Sequence, residues 1–444
     1  MSVTETGATD ETPDGPTAPG LTPAQRLKAI IGGSAGNLVE WYDWSVYIFF
    51  AVYFAGHFFP EGDQTAQLFK VAAVSAVGFL ARPLGAWLMG VYADRAGRRA
   101  ALTLSVAMMC LGSLVIGLAP TYAQVGALAP AILLTARILQ GLSVGGEYGA
   151  SATYLSEVAG RKRRGFWASF QYVTLIAGSL TAQGMVVILQ TVMPEADLQA
   201  WGWRIPFFIG AALAVVVFWI RSGIHESQGF ENAKASGEQR GKTMLLFVKH
   251  PKQTLMVMGL TAGGSLAYYV YTSYMQKFLI NTSGFSKQTA SQIMVAALFV
   301  FMLMQPLFGW VSDRIGRKPL LLFAFGGGML ATWPLMTAIA GTTNAYVAFG
   351  LIMIALTFQS GYSAISGLFK AEMFPAHIRA LGVALPYAIA NSVFGGSAEA
   401  VALKFKQMGS ESHFYLYVSG ILAVGLLTVI LLPDTKKTSL IHED

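Results

Sequence analysis

Gly90-Val-Tyr-Ala-Asp-Arg-Ala-Gly-Arg-Arg99 is short, polar and basic, and it separates two long apolar runs. A near copy, Gly309-Trp-Val-Ser-Asp-Arg-Ile-Gly-Arg-Lys318, occurs later, with Asp94 and Asp313, Gly97 and Gly316, and Arg98 and Arg317 each 219 positions apart. A second register agrees, since Glu157 and Glu372, Arg164 and Arg379, and Tyr172 and Tyr387 lie 215 apart. Shared hydropathy alone would not align acidic, basic and glycine positions at loop edges, so the chain reads as a duplicated structure.

Hydrophobic residues fill 54% of the 444 positions and charged ones only 12%, about half the charged share of a soluble globular protein. The chain therefore reads as a polytopic membrane protein. Its apolar runs are continuous and not alternating, which selects helices over a β-barrel. At roughly 30 to 35 residues per span and loop, the length predicts an all-α fold of twelve transmembrane helices in two pseudo-symmetric six-helix halves. The apolar segments run near 28–56, 68–93, 100–119, 130–157, 165–191, 204–222, 253–280, 288–312, 319–340, 344–370, 380–403 and 412–432. They imply a disordered cytoplasmic tail over 1–27, an N-terminal half over 28–222 and a cytoplasmic linker over 223–252. A C-terminal half over 253–432 and a cytoplasmic tail over 433–444 complete the chain. The single cysteine, Cys110, excludes an intramolecular disulfide, and no metal cluster or redox pair is spaced in the sequence.

A formal charge of +7 suits nucleic acid as well as membrane topology, and placement decides between them. With the N-terminus inside, 22 of the 30 basic residues fall in cytoplasmic tails and loops. The opposite loops, His57–Gln67 and Thr191–Trp203, carry Glu61, Asp63, Glu195 and Asp197 and almost no Lys or Arg. This asymmetry sets both termini in the cytoplasm and removes nucleic acid as a partner. The first 25 residues lack a basic segment followed by a cleavage site. No phosphate-binding glycine loop draws on ATP, and no nucleophile–base constellation marks an enzyme.

An ionisable group inside a span is costly and marks a functional candidate. Glu40 lies 12 residues into the first segment, roughly 18 Å deep at about 1.5 Å per residue. Asp43, three residues on, shares its helix face, and two desolvated like charges do not both stay ionised without cost, which suits proton carriers. The alternative is permanent pairing with Arg82 or Arg137. Arg82 stands 12 residues before Asp94, again roughly 18 Å from the end of its span, and Pro83 and Gly85 permit a bend there. A guanidinium facing a cavity holds a carboxylate through two hydrogen bonds, so Arg82 is a substrate-binding candidate. Arg204, between Trp203 and Pro206, reads equally as substrate contact or interfacial anchor. Lys277, among Tyr268, Tyr271 and Tyr274, is a substrate candidate together with Tyr271, or else snorkels to the interface. Arg137 precedes Gly141, Gly145 and Gly149, a repeat that makes a close-packing stripe. Glu399 faces either the cavity or the outer rim. Asp94 and Asp313 near helix ends, with Arg98 facing Glu157 and Arg317 facing Glu372, form a latch across the cytoplasmic mouth that favours the outward-open state.

Both loop copies resemble the G-x-x-x-D-R-x-G-R-[RK] signature of the major facilitator superfamily, which that family places between spans 2 and 3 and between spans 8 and 9. Arg137-Ile-Leu-Gln140-Gly141-Leu-Ser-Val-Gly145 resembles the family's element in span 4. Gly36-Asn-Leu-Val-Glu40-Trp-Tyr-Asp43-Trp-Ser-Val-Tyr47, Trp201-Gly-Trp-Arg204-Ile-Pro206 and Glu372-Met-Phe-Pro-Ala-His-Ile-Arg379 resemble its metabolite:proton symporter branch. Within that branch, Ser143-Val-Gly-Gly-Glu-Tyr-Gly149, Tyr274-Met-Gln-Lys277 and Phe394-Gly-Gly-Ser-Ala-Glu399 look like the bacterial 2-oxoglutarate permeases.

The resemblance implies the major facilitator fold and import of a small dicarboxylate, with 2-oxoglutarate foremost, driven by the proton gradient without a cofactor. The implied partners are a small organic anion, protons and the lipid bilayer of a bacterial inner membrane, for a monomeric protein. It ties Arg137 to proton coupling with Glu147 as companion, and it moves Arg204 towards the substrate, since a dianion calls for two cationic contacts. Citrate, shikimate, an aromatic acid, or a zwitterion such as proline or betaine stay open as substrates, as does a transport-like receptor. Ala96 stands where those permeases commonly carry His, so no proton role transfers to that position.

Overall fold

The computed structural model describes residues 23–96, 98–145, 148, 152, 153, 155, 156, 163–222, 249–375 and 378–441. Of these, 23–35, 90, 91, 93–96, 98–103, 106, 214 and 217–222 are described by backbone alone. Among the described residues twelve helical stretches succeed one another. The first six are α1 Pro23–Phe58, α2 Gln64–Ala96, α3 Arg98–Leu118, α4 Leu128–Val144, α5 Arg164–Val192 and α6 Ile205–Ser222. Next comes α7, over 251–281, in which Pro251–Tyr269 passes through a π-helical turn, Val270–Tyr274, into Met275–Asn281. After it stand α8 Lys287–Ile315, α9 Arg317–Gly341 and α10 Ala345–Glu372. α11, over 379–407, has its own π turn at Asn391–Gly395, and α12 is Glu411–Leu431.

Each expected apolar segment coincides with one stretch, and six stretches are apolar enough by length and composition alone to cross a membrane. Two ends differ from the expectation. α1 begins at Pro23, inside the expected disordered tail, and α7 at Pro251, inside the expected linker. Residues 1–22, 223–248 and 442–444 of the tails and linker lie outside the described residues.

Packing repeats with the sequence. α1 packs on α5, α2 on α4 and α3 on α6; six helices later α7 packs on α11, α8 on α10 and α9 on α12. The halves meet along α5–α8 and α2–α11, which the same shift of six interchanges. Leu80, Leu118, Val192 and Leu330 are more than half exposed on the outside of the bundle, a surface that lipid and not water satisfies.

Since lipid supplies no hydrophobic drive between helices, close backbone approach has to hold them. A Cβ added at Gly141 would lie 1.9 Å from the Gly78 carbonyl oxygen, one at Gly145 2.1 Å from that of Arg82, and one at Gly85 2.2 Å from that of Leu142. The glycines of α4 are thus the seam with α2; Gly149 lies outside the described residues. The second polar loop has its own reason for glycine, because Gly316 turns the chain from α8 to α9 at φ +99°, a region side chains rarely enter.

Gly141→Val should lower the melting temperature of the detergent-solubilised protein, overpacking of this kind costing about 1–3 kcal/mol. Gly350→Ala, whose methyl meets nothing within 4 Å, should leave it unchanged. Equal melting of the two variants would contradict the backbone seam.

Candidate functional site

The seam brings two arginines to one layer. Arg137 of α4 is fully buried; it donates to Gln140 Oε1 at 2.8 Å and to Ser75 Oγ at 3.2 Å, and its guanidinium lies 3.6 Å from the Trp44 ring centre and 4.1 Å from that of Tyr47. Gln140 in turn donates through Nε2 to Asp43 Oδ2 at 2.6 Å, and Ser113 of α3 donates to Asp43 Oδ1. Gly210 of α6 leaves room for this carboxyl, since a Cβ there would stand 2.5 Å from Asp43 Oδ1. Asp43 therefore reaches Arg137 through an amide relay, where the sequence left direct pairing open. Glu40, also buried, lies within electrostatic reach of Tyr269 of α7, so the two acids of one helix face address different neighbours.

Arg82 is boxed by aromatic faces. Its guanidinium is 4.1 Å from the ring centres of Trp44 and Phe79 and 5.7 Å from that of Trp41, an arrangement that holds a desolvated cation on π-electron density. The box lies where the halves meet. Phe79 packs edge-on against Tyr269 at 5.2 Å, its carbonyl accepts from Ser392 Oγ at 2.6 Å, and Tyr269 and Tyr387 both lie in the field of Arg82. Asn391, in the π turn of α11, is fully buried beside Tyr269.

Three other expected substrate contacts are placed elsewhere. Arg204 donates to the Gly117 and Ala119 carbonyls, both at 2.8 Å, and rests 4.3 Å from the Trp203 ring. It holds the C-terminal end of α3, where carbonyls lack helical partners. Tyr271 points to α9 and hydrogen-bonds Thr332 Oγ1 at 2.6 Å. Lys277 does not snorkel: it is fully buried, 2.7 Å from Glu399 Oε1 and 2.8 Å from the Ile48 carbonyl. This ion pair gives Glu399 a partner and ties α7 and α11 to α1 across the halves.

In the second loop motif Arg317 faces Glu372, as the spacing suggested, and the motif has partners the sequence did not reveal. Asp313 accepts from the backbone N–H groups of Gly165 at 2.7 Å and Phe166 at 2.9 Å, so the end of α8 caps the start of α5 in the other half. Arg317 braces Asp313 at 2.9 Å and reaches Glu372 Oε1 at 3.5 Å. The C-terminal segment docks on the same group: Thr435 donates to Glu372 Oε2 at 2.6 Å, and Asp434 Oδ1 accepts from the Arg317 N–H at 3.0 Å. Of the first copy, the side chains of Asp94 and Arg98 lie outside the described residues, as do Glu147 and Glu157.

Contacts cross at the opposite end as well. Gln190 of α5 donates to Ser291 of α8 at 3.3 Å, and Lys287 to Glu195 Oε1 at 2.7 Å. That hydrogen bond and charge hold the exposed Glu195 carboxyl below the usual glutamate range. The pair is complete above that range and is lost as the pH falls through the lowered value, so acid at this face loosens the tie. Among the described residues the two halves are thus tied at both ends of the bundle.

Sequence reasoning missed Lys370. At the very end of the apolar segment 344–370, it is fully buried in α10, 2.9 Å from Ser366 Oγ and close to Tyr148, Tyr362 and Tyr387. Its signal was the clustering of serine and tyrosine just upstream, at Ser360, Tyr362, Ser363 and Ser366.

The family described as "Sugar (and other) transporter" matches residues 29–444. The alpha-ketoglutarate permease of Escherichia coli K12 is 52% identical over 92% of this chain and 94% of its own. The citrate-proton symporter of Salmonella typhi is 31% identical over 86% and 88%. Among solved structures, the E. coli xylose transporter XylE in a partially occluded inward-open conformation superposes with a TM-score of 0.73 at 19% identity, covering 93% of this chain and 99% of that one. This likeness establishes the major facilitator fold.

Lys277→Met should destabilise the protein by roughly 3–5 kcal/mol, because it leaves Glu399 charged without its partner. Adding Glu399→Gln should recover most of the loss of melting temperature; no recovery would show that the two groups do not act as a pair. For the latch, Asp313→Ala in a Cys110→Ala background should speed maleimide labelling of a Ser169→Cys reporter, a position now fully buried. An unchanged labelling rate would mean that the α5 cap does not hold that end closed.

Proposed function

We propose, for a chain that belongs to the sugar (and other) transporter family, that it imports a small dicarboxylate, 2-oxoglutarate foremost, together with protons by alternating access. The observation that carries this reading is Arg82, a buried guanidinium in an aromatic box at the plane where the halves meet. A carboxylate meeting it there is contacted by both halves, as alternating access requires. The 52% identity to a permease whose name specifies alpha-ketoglutarate supports the dicarboxylate. The chain acts in the bacterial inner membrane with its basic loops and both termini in the cytoplasm.

Coupling rests on the Asp43 relay. Both Asp43 oxygens accept hydrogen bonds, from Ser113 and Gln140, an arrangement that suits the ionised carboxylate. Protonation converts one acceptor into a donor, so Ser113 or Gln140 must turn, and the turn of Gln140 is felt by Arg137. Glu40, near Tyr269, carries the charge change to the substrate layer. Moving a dianion inward against an inside-negative potential costs about 2.3 kcal/mol per charge per 100 mV; two accompanying protons cancel the charge. Asp313, Arg317 and Glu372, with Asp94, Arg98 and Glu157 as their counterparts, close the cytoplasmic mouth between cycles. Glu147 is the companion proposed for Arg137 in coupling.

Proteoliposomes with an imposed pH gradient should accumulate labelled 2-oxoglutarate, and an uncoupler should abolish accumulation. Uptake that persists after the gradient collapses would remove the symport. Arg82→Lys should raise the apparent KM despite keeping the charge, because the two-pronged contact is lost. Glu40→Gln should suppress gradient-driven uptake more than 2-oxoglutarate exchange. Competition by citrate, shikimate, proline and betaine ranks the other substrates.

A further inference from the structure

We infer that Lys370 is a second anion contact of the transport pathway, taking the far carboxylate of a dicarboxylate whose near carboxylate rests on Arg82. This deepens the dicarboxylate reading and rests on it. The Lys370 ammonium donates to Ser366 Oγ at 2.9 Å, Tyr148 OH at 3.3 Å and Tyr362 OH at 3.4 Å, and it lies 4.4 Å from the Tyr387 ring centre. Each partner is a neutral hydroxyl or a π face. Among the described residues no carboxylate pairs with it, in contrast to Lys277, which has Glu399. Neutral oxygens and rings replace only part of the hydration of an ammonium, so a substrate carboxylate supplies the charge that these neighbours do not.

Location singles out a transported anion over a structural one. Tyr148 comes from the N-terminal half and stacks on Tyr387 of α11 with ring centres 3.6 Å apart and planes 9° from parallel. The cage is therefore built from both halves and changes when they rock. Tyr387, whose ring lies 4.4 Å from the Lys370 ammonium, is also in the field of Arg82, so the two cations share one tyrosine. Lys370 is two residues before Glu372 of the latch, which places the second contact on the latch side of Arg82. A monocarboxylate satisfies Arg82 alone, and a dicarboxylate satisfies both cations. The arrangement selects for the second charge.

The test uses ligand-dependent thermal stabilisation of the purified full-length protein, with 2-oxoglutarate as the diacid and 2-oxopentanoate as a monoacid of equal chain length. Lys370→Met should raise the diacid concentration needed for half-maximal stabilisation by about tenfold or more, while the monoacid response moves by less than about twofold. Lys370→Arg should keep the diacid preference. Without ligand, Lys370→Met should melt at or above the wild type, since a buried charge has been removed. An unchanged diacid response, an equal weakening towards both acids, or a ligand-free Lys370→Met protein that melts below wild type or fails to fold would each overturn the assignment. Wild-type protein that does not respond to the diacid removes the dicarboxylate reading itself, and this assignment with it.

Discussion

Helix α4 meets α2 backbone to backbone, and the polar chemistry of the N-terminal half depends on that approach. Gly141 and Gly145 remove the side chains that would otherwise hold the two helices apart. As a result one indole, that of Trp44, receives two guanidinium groups, Arg82 at 4.1 Å and Arg137 at 3.6 Å. Neighbouring cations in a medium of low permittivity repel strongly, so the indole, Gln140 and Ser75 are as much a part of the arginine layer as the arginines are. Moving the helices apart by the width of one methyl group would break the layer before it touched the fold.

The two halves share topology and divide the chemistry. The N-terminal half holds a relay, carboxylate to amide to guanidinium, with members on two helices, α1 and α4. The C-terminal half holds ammonium groups, one paired with Glu399 and one caged by tyrosines. Duplication thus supplied the scaffold, and the functions diverged on it, as expected when a fold carries function only through its sites.

The division explains what the sequence disclosed. Span number and pseudo-symmetry were legible because hydropathy and repeated loop charges encode them directly. Arg82, Arg137, Glu40 and Asp43 stood out because charge inside a span is expensive wherever its partner lies. Gln140 did not stand out, for an uncharged amide 97 residues from Asp43 carries no such mark. The partner of Tyr271 on α9 was not legible because a π turn begins at Val270 and rotates the side chains beyond it relative to a regular helix. Lys370 was not singled out because it closes an apolar segment where hydropathy fades, although α10 runs on through Ser366–Glu372. Arg204 had two readings that periodicity could not separate, and its carbonyl partners lie 85 and 87 positions away.

Asp313 grips α5 by its main chain. The donors are the N–H groups of Gly165 and Phe166; at 166 almost every amino acid presents the same group, whereas at 165 a Cβ would lie 2.5 Å from the Gly309 carbonyl oxygen and 2.8 Å from Asp313 Oδ1, so only glycine lets the helices close. At position 166 sequence drift leaves the closing contact intact, whereas at 313 and at 165 a single codon change disturbs it, so a genetic screen for leaky or constitutively open forms would recover lesions from α8 and from that one glycine of α5.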